Sequence, residues 1–405
     1  MTVLNPLSRS VMLMLLTFVA LVGSSHAEEK KYTVSQKTYR VLEQARKFMD
    51  QGNHRAALEK LNGLLPNVDG NRYETALAHQ HRAYVYLEQG DYRKGLSALE
   101  STLQLADTLP PDTVQNLRYN LAQAAAQSEK YGVAENALNS WFAEEKNPSA
   151  DAWYLRGLVQ YKQHHLNRAA DYLQRAVALS QHENWSVLLL SIYLEQKRYR
   201  QATGILQQLV NLYPGKKEYW LNLTDVYLMS ESYAEALATL QLAQHRIELG
   251  EKEILKLARL YLHKNIPYSA SQLLHKAMTD GRIKTNAANL ELLANSWAAA
   301  RQPEEELRYL SRAAQLKNDG SLYQRCAQIL LRLERWREAV AMFDNALAKG
   351  LKSPGRTYLL KGIAAYQSGQ MQTATNAFEQ AGRYKTTKNQ AMQWLGQVKT
   401  AKSAS

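Results

Sequence analysis

One pattern recurs ten times along this chain of 405 residues: a small residue, followed four positions later by leucine or phenylalanine. The steps between recurrences run from 33 to 39 residues. The small positions are Ala57, Gly95, Ala134, Ala169, Ala202, Ala236, Ala270, Glu306 (the exception), Ala339 and Ala374. Residues four apart share one face of an α-helix, and a sustained period of this length is typical of helical repeat proteins.

A second small residue precedes the first by twelve positions in eight of the ten repeats, and Leu190 and Thr224 replace it in the other two. The eight are Ala45, Ala83, Ala122, Gly157, Ala258, Ala294, Ala327 and Gly362. Small residues at facing positions let two helices approach closely. Each repeat is therefore predicted to be two antiparallel helices joined by a short turn.

The prolines are consistent with this division of the chain. Pro267 and Pro303 are predicted to lie in turns within a repeat. The others after residue 27 are predicted to lie between repeats: Pro66, Pro110, Pro111, Pro148, Pro214 and Pro354. Because proline disrupts a helix interior, we expect none of them inside a helix. No period-two alternation indicates a strand.

The repeat resembles that of the tetratricopeptide-repeat family. Two segments carry most of the resemblance: Trp153-x3-Gly157…Ala169-x3-Leu173 and Trp220-x2-Leu223-x3-Tyr227…Ala236-x3-Leu240. The resemblance implies an all-α tetratricopeptide-repeat solenoid, a right-handed superhelix of about ten antiparallel helix pairs over residues 35–387. A capping helix over residues 388–402 is expected to cover the last pair. Packing around the fifth and eighth repeats is expected to differ, because Leu190 and Glu306 are large for their positions.

The N-terminal segment has the features of a signal peptide. An apolar run of twelve residues, 11–22, precedes Ser25-x-Ala27, which places small residues where signal peptidase requires them. Twelve helical residues span about 18 Å, too short for a bilayer core of about 30 Å. We expect a signal peptide over residues 1–27, a short tail over 28–34 and export to the periplasm; the alternative is an uncleaved anchor helix. No transmembrane segment is expected after cleavage.

Motifs of catalysis and of cofactor binding are absent from the sequence. It contains no G-x-G-x-x-G, G-x-x-x-x-G-K-[ST], H-E-x-x-H or G-x-S-x-G pattern. The single cysteine, Cys326, adjoins the small position Ala327 and is interpreted as a buried spacer, with a reactive thiol as the alternative. We therefore expect no catalytic residue, no metal site, no cofactor and no enzymatic activity. An exported protein is also not expected to bind nucleic acid, despite its excess of basic residues.

The first helices of the repeats are predicted to present an apolar groove to a partner protein. Its candidate residues are Tyr119, Tyr154, Leu158, Tyr161, Leu194, Leu221, Leu228, Leu255 and Leu262. The alternative is that these side chains pack between neighbouring first helices, which would then fill the groove. Some tetratricopeptide domains grip a C-terminal carboxylate with a Lys and an Asn four residues apart. The equivalent pairs here are Leu42/Arg46, Gln80/Tyr84 and Tyr119/Gln123, so that clamp is not expected.

Positive charge is concentrated near the C-terminus. Residues 349–405 hold nine basic residues and one acidic residue, Glu379. The predicted basic patch comprises Arg383, Lys385, Lys388, Lys399 and Lys402. It is either a solubilising face or a docking site for an anionic partner of the envelope: an acidic protein, lipid headgroups or a cell-wall polymer.

These features favour a non-enzymatic scaffold that binds partner proteins in the periplasm. Length, signal peptide and repeat number are similar to those of periplasmic tetratricopeptide-repeat proteins that accompany TonB-type energy-transduction systems for iron-complex uptake. The alternative is an envelope-assembly factor that acts on peptidoglycan, outer-membrane proteins or polysaccharide export machinery.

Overall fold

A computed structural model describes residues 32–404 and shows an all-α protein. These residues form twenty-one α-helices and a 3-10 helix, Ala106–Thr108, with no strand among them. The predicted all-α fold is confirmed. The predicted signal peptide, residues 1–27, lies outside the described residues, as does the first part of the predicted tail, residues 28–31.

The helices follow one another as ten consecutive pairs and a terminal helix. The first helices of the pairs are α1 (Gln36–Asp50), α3 (Arg72–Glu88), α5 (Pro111–Gln127), α7 (Ala150–Lys162), α9 (Glu183–Glu195), α11 (Lys217–Met229), α13 (Glu251–His263), α15 (Ala287–Ala299), α17 (Gly320–Arg332) and α19 (Gly355–Gln367). The second helices are α2 (His54–Val68), α4 (Tyr92–Leu103), α6 (Tyr131–Glu144), α8 (Leu166–Leu179), α10 (Tyr199–Leu212), α12 (Tyr233–Ala243), α14 (Pro267–Thr279), α16 (Pro303–Lys317), α18 (Trp336–Ala348) and α20 (Met371–Gly382). The terminal helix is α21 (Lys388–Ala404).

The chain divides into two compact units, the first ending at Ile192 and the second beginning at Tyr193. The first unit contains α1–α8 and most of α9. Its interior is built from alanines and leucines of successive pairs, such as Ala83, Leu99, Ala122 and Leu138. The second unit contains the end of α9 and α10–α21, and its last pairs enclose Phe343 and Phe378.

Every turn within a pair has three residues, and its middle residue has a left-handed backbone conformation. The φ angles of these ten residues lie between 56° and 77°. Glycine, which adopts this conformation without strain, occupies only Gly52, Gly90 and Gly369. The other seven are Glu129, His164, Lys197, Glu231, Asn265, Arg301 and Glu334. The turn geometry is therefore set by the packing of each pair rather than by glycine.

Close approach within the pairs explains two of the small positions. A Cβ atom added to Gly157 in α7 would lie 2.7 Å from Leu173 Cγ in α8, and 3.1 Å from the Leu173 backbone nitrogen. A Cβ added to Gly362 in α19 would lie 2.5 Å from the Phe378 ring in α20. These two pairs thus bring a small residue of the first helix against a large residue of the second.

Three larger residues at the small positions are also accommodated. Leu190 is buried, and the Thr224 hydroxyl donates to the Trp220 carbonyl oxygen at 2.9 Å. Glu306 is buried too, with its carboxylate 3.4 Å from an Arg332 guanidinium nitrogen. All three repeats that contain these residues keep both of their helices.

The expectation that no proline lies inside a helix is wrong at Pro66, which is part of α2. Only Asn67 and Val68 follow it in that helix. Proline has no backbone N–H, so the Asn62 carbonyl lacks its helical hydrogen bond from residue 66. Because Pro66 and Asn62 are both exposed, this carbonyl can bind water instead.

A buried carboxylate ties the start of α1 to α3. Glu74 accepts hydrogen bonds from the Ser35 backbone N–H at 2.6 Å and from the hydroxyls of Thr38 and Ser35. Burial alone would raise its pKa, but these three hydrogen bonds outweigh burial and hold the pKa of Glu74 below its ordinary value.

We expect Glu74→Ala to loosen α1, with a loss of about 1–3 kcal/mol at neutral pH because buried donors lose a charged acceptor. Since the pKa is lowered in the folded state, the stabilisation is complete above the ordinary glutamate pKa of about 4.3 and is lost as the pH falls through the lower folded value. Hydrogen exchange of the α1 amides at several pH values measures this. A difference between wild type and variant that does not shrink in acid would contradict it.

Candidate partner-binding surface

All nine predicted groove residues lie on first helices, and all nine are partly buried. Tyr119 lies on α5, and Tyr154, Leu158 and Tyr161 lie on α7, within the first unit. The second unit holds the remaining five on α9, α11 and α13: Leu194, Leu221, Leu228, Leu255 and Leu262. Each therefore keeps part of its side chain accessible to solvent.

Tyrosines and amides alternate along the first helices of the first unit. On α3, Gln80 Nε2 donates to the Tyr84 hydroxyl at 3.0 Å, and Tyr84 is also hydrogen-bonded to Asn120 of α5. On α5, Tyr119 is hydrogen-bonded to Gln123. We name this set, Gln80, Tyr84, Tyr119, Asn120 and Gln123, the tyrosine–amide row.

The tyrosines of this row remain neutral across the physiological pH range. Burial raises the pKa of Tyr84. Burial, with a smaller contribution from the Asp151 carboxylate, raises the pKa of Tyr119 to about 12. Neutral phenols and amides both donate and accept hydrogen bonds, as a peptide backbone does.

A stacked aromatic pair continues the surface beyond this row. The Tyr154 ring of α7 stacks on the Trp185 ring of α9, with centroids 4.7 Å apart and planes 12° from parallel. The His182 ring contacts the Trp185 ring, with their centroids 4.2 Å apart. Trp185 is buried while Tyr154 is partly accessible. The pair thus holds the Tyr154 ring in one orientation.

In the second unit, ion pairs between neighbouring first helices accompany the leucines. The Lys256 ammonium of α13 pairs with Asp225 of α11. Arg325 of α17 lies 3.5 Å from a Glu291 carboxylate oxygen on α15 and donates to Asn295 Oδ1 at 2.7 Å. These charged side chains are partnered within the protein. The predicted leucines therefore remain as the candidate contacts for a partner on this surface.

Sequence analysis missed a cluster of arginines and aromatic rings on α6–α8. The Arg156 guanidinium lies between the rings of Phe142 and Tyr172, at 4.3 and 4.5 Å from their centroids. Arg175 lies 4.6 Å from the Trp153 centroid. No single spacing marks this cluster, because its residues come from three helices. In the sequence, only the presence of Arg156 and Arg175 within the helical pattern could have indicated this cluster.

A small cavity of about 120 Å³ borders this cluster. Glu135 at its edge accepts from Gln160 at 2.9 Å and from Gln163 at 3.0 Å. Burial alone would raise the pKa of Glu135, but these two hydrogen bonds outweigh it and hold the pKa low. The polar groups of the cavity are thus partnered within the protein.

Cys326 is fully buried. Burial raises the pKa of its thiol to about 12, which keeps it protonated and unreactive at neutral pH. The interpretation as a buried spacer is the one that this environment supports.

Two further features concern residues 32–404 alone. No group of three or more His, Cys, Asp or Glu side chains in this range is placed to hold a metal ion. None of the helices in it combines the length and apolar character needed to cross a bilayer.

The structure separates the predicted basic patch into two parts. Arg383 and Lys385 lie in the connection between α20 and α21, and Lys388 begins α21. Lys399 lies eleven residues further on, about 16 Å along the helix axis, and Lys402 follows it. Arg383, Lys385, Lys388 and Lys399 are exposed.

The tetratricopeptide-repeat sequence profile matches residues 119–184, 188–249 and 327–386. A TPR repeat-containing protein of Methanocaldococcus jannaschii is 32% identical over 121 residues, which are 30% of this chain and 20% of the relative. The chain thus spans about a fifth of that relative's length.

Solved structures of tetratricopeptide-repeat proteins are similar to parts of the chain. One from Parabacteroides merdae covers 65% of this chain and 99% of its own, at 17% identity and a TM-score of 0.39. MamA of Desulfovibrio magneticus covers 46% of this chain and 99% of its own, at 16% identity and a TM-score of 0.38. YrrB, described as a TPR protein with an unusual peptide-binding site, covers 46% and 96%, at 17% identity and a TM-score of 0.36.

The helix pairs and the profile matches show that this all-α chain contains tetratricopeptide repeats in the matched segments. The predicted resemblance is confirmed. Repeats of this class suggest a protein-interaction scaffold.

Proposed function

We propose that this chain is an exported, non-catalytic scaffold of the bacterial cell envelope that holds a partner protein on its first helices. The observation that carries the proposal is the partial burial of all nine candidate residues. A side chain that packs on its neighbours yet keeps an accessible face is ordered before binding, so it loses less conformational entropy when a partner contacts it.

The tyrosine–amide row gives this surface the means to bind an extended segment. Its amides supply donors and acceptors that match a peptide backbone. The ordered Tyr154 ring next to it supplies an apolar anchor, and tyrosine is among the residues enriched at interface hot spots. In the second unit, Leu221, Leu228, Leu255 and Leu262 would receive apolar side chains.

The cellular role rests on the sequence. The predicted signal peptide supports a periplasmic location, and the overall architecture supports a component of a TonB-type system for iron-complex uptake. An envelope-assembly factor is the alternative. Fractionation of cells that carry the tagged chain tests the location. Co-purification of transport proteins, as opposed to wall or polysaccharide synthesis proteins, distinguishes the two roles.

Photocrosslinking tests the binding surface directly. With a photoreactive residue in place of Tyr154 or Leu228, we expect a discrete adduct with a partner protein in cells. The same residue at Tyr268, an exposed tyrosine of second helix α14, should give none. We further expect Tyr154→Ala to weaken binding of the captured partner by about 30-fold, as a hot-spot residue does, and Tyr268→Ala to leave it within about twofold. Equal adducts from first and second helices would contradict the proposal.

A further inference from the structure

Two chain connections of the second unit meet at one point near the C-terminus. A Cβ added to Gly355, at the start of α19, would lie 2.8 Å from Tyr384 Cβ and 3.0 Å from Thr387 Oγ1. The rings of Tyr358 and Tyr384 also stack, with centroids 6.2 Å apart. The start of α19 is therefore in direct contact with the connection before α21.

Five basic residues lie within three sequence positions of this contact. Lys352 and Arg356 flank Gly355, Arg383 and Lys385 flank Tyr384, and Lys388 follows Thr387. We call these five residues the cationic cluster. All five are exposed, and none makes an ion pair with another described residue. Lys361, by contrast, is paired with Asp344 on α18.

The charge around the cluster is not balanced nearby. Residues 28–192 carry 19 basic and 19 acidic residues, whereas residues 193–405 carry 30 and 18. Glu379, the one acid after residue 348, is exposed and unpaired. The excess positive charge of the chain after residue 27, +12, thus lies wholly after Ile192, and +8 of it lies in residues 349–405.

An apolar side chain lies on the same exposed face as two of the lysines. Lys388, Met392 and Lys399 of α21 are four and seven residues apart, which places them along one line of the helix. Met392 is 58% exposed. The binding of a helix to a lipid surface increases with the apolar area it buries there and with the attraction between its cations and anionic lipids.

We propose that the cationic cluster and this face of α21 dock the protein on an anionic phospholipid bilayer. The cations come from three chain segments and are mostly lysines, which act as mobile point charges. Only Arg356 and Arg383 carry the planar guanidinium group that binds individual carboxylates in a bidentate manner. Such a surface fits a plane of phosphate groups better than one acidic peptide. The proposal depends neither on the first-helix surface nor on export.

Vesicle sedimentation tests the proposal with the full chain after residue 27. We expect binding to phosphatidylcholine vesicles that contain about 30% phosphatidylglycerol, and none to pure phosphatidylcholine, because juxtamembrane cations bind anionic lipids at about fivefold in affinity each. A threefold rise in salt should weaken the binding clearly, since exposed charges are screened within about 8 Å.

Matched lysine variants separate position from total charge. Lys352→Gln, Lys385→Gln and Lys388→Gln together should weaken vesicle binding by about 100-fold. Lys60→Gln, Lys130→Gln and Lys146→Gln remove three exposed, unpaired lysines of the first unit, so the net charge of both variants is identical. This control should bind within about twofold of wild type. Circular dichroism checks that both variants keep their helices.

Three outcomes would overturn the proposal. Equal losses in the two triple variants would assign any binding to overall charge. Equal binding to charged and neutral vesicles would remove the role of the phosphates. Failure to bind anionic vesicles, together with salt-sensitive binding of soluble polyglutamate, would assign the cluster to an acidic protein segment instead.

Discussion

Replacing Phe378 by alanine is expected to destabilise the last repeat by about 3–5 kcal/mol, the loss typical of a buried phenylalanine. Phe378 is fully buried, its ring stacks on that of Trp394 with centroids 5.7 Å apart, and it faces Gly362. It therefore joins three elements, α19, α20 and α21. Because repeat proteins are stabilised by contacts between neighbours, the effect should be largest at this end of the chain.

Chemical denaturation and hydrogen exchange of α19–α21 measure this loss. Phe343→Ala, in the equivalent position one repeat earlier and also fully buried, should cost about as much. Met392→Ala, on the exposed face of α21, should change stability by less than about 0.5 kcal/mol. A loss below about 1 kcal/mol for Phe378→Ala would mean that the ring is not enclosed as described.

Gly157→Leu is expected to destabilise the fourth repeat by about 1–3 kcal/mol, because it forces a side chain into a well-packed contact. Even a single Cβ at this position would lie within 2.7 Å of Leu173. The Leu173 backbone nitrogen would be 3.1 Å away, and a backbone atom cannot move aside as a flexible side chain can. The two helices must therefore separate.

Gly63→Leu provides the matched control in the same unit. Gly63 lies within α2, and a Cβ there would have no atom within 4 Å. Leucine is the better helix former, so this substitution should stabilise by about 0.5–1 kcal/mol. Urea denaturation of the two variants should thus give shifts of opposite sign. A neutral Gly157→Leu would place the contact between α7 and α8 elsewhere.

The division of the chain into helix pairs could be predicted largely from the spacing of small and apolar residues. Small residues twelve apart marked the two helices of a pair, but Gly157 and Gly362 lie against Leu173 and Phe378, the large residues of the second helices, rather than against the small ones. The same spacing placed the candidate groove residues on first helices. A repeated pattern specifies such features because each repeat contacts only its neighbours, so the information for one contact lies within about 40 residues.

The turns and Pro66 show where local rules were insufficient. Seven of the ten left-handed turn residues are not glycine, because packing of the helix pair outweighs the preference of one residue. Pro66 was expected to lie between repeats, yet it lies inside α2 and two further helical residues follow it. At Pro66 the cost is small because Asn62 is exposed and its carbonyl can bind water.

Spacing alone determined the fold class, the pairing of helices and the helix faces that carry the candidate residues. Tertiary structure decided which of those side chains keep an accessible face, how Tyr154 stacks on Trp185, and which cations meet around Gly355. Lys352 and Arg356 lie about thirty residues before Lys385 and Lys388 in the chain, and only the contact between Gly355 and Tyr384 unites them. The physical reason is that helical periodicity records which way a residue faces, whereas charge clusters and ring stacks arise from distances between segments that no local period encodes.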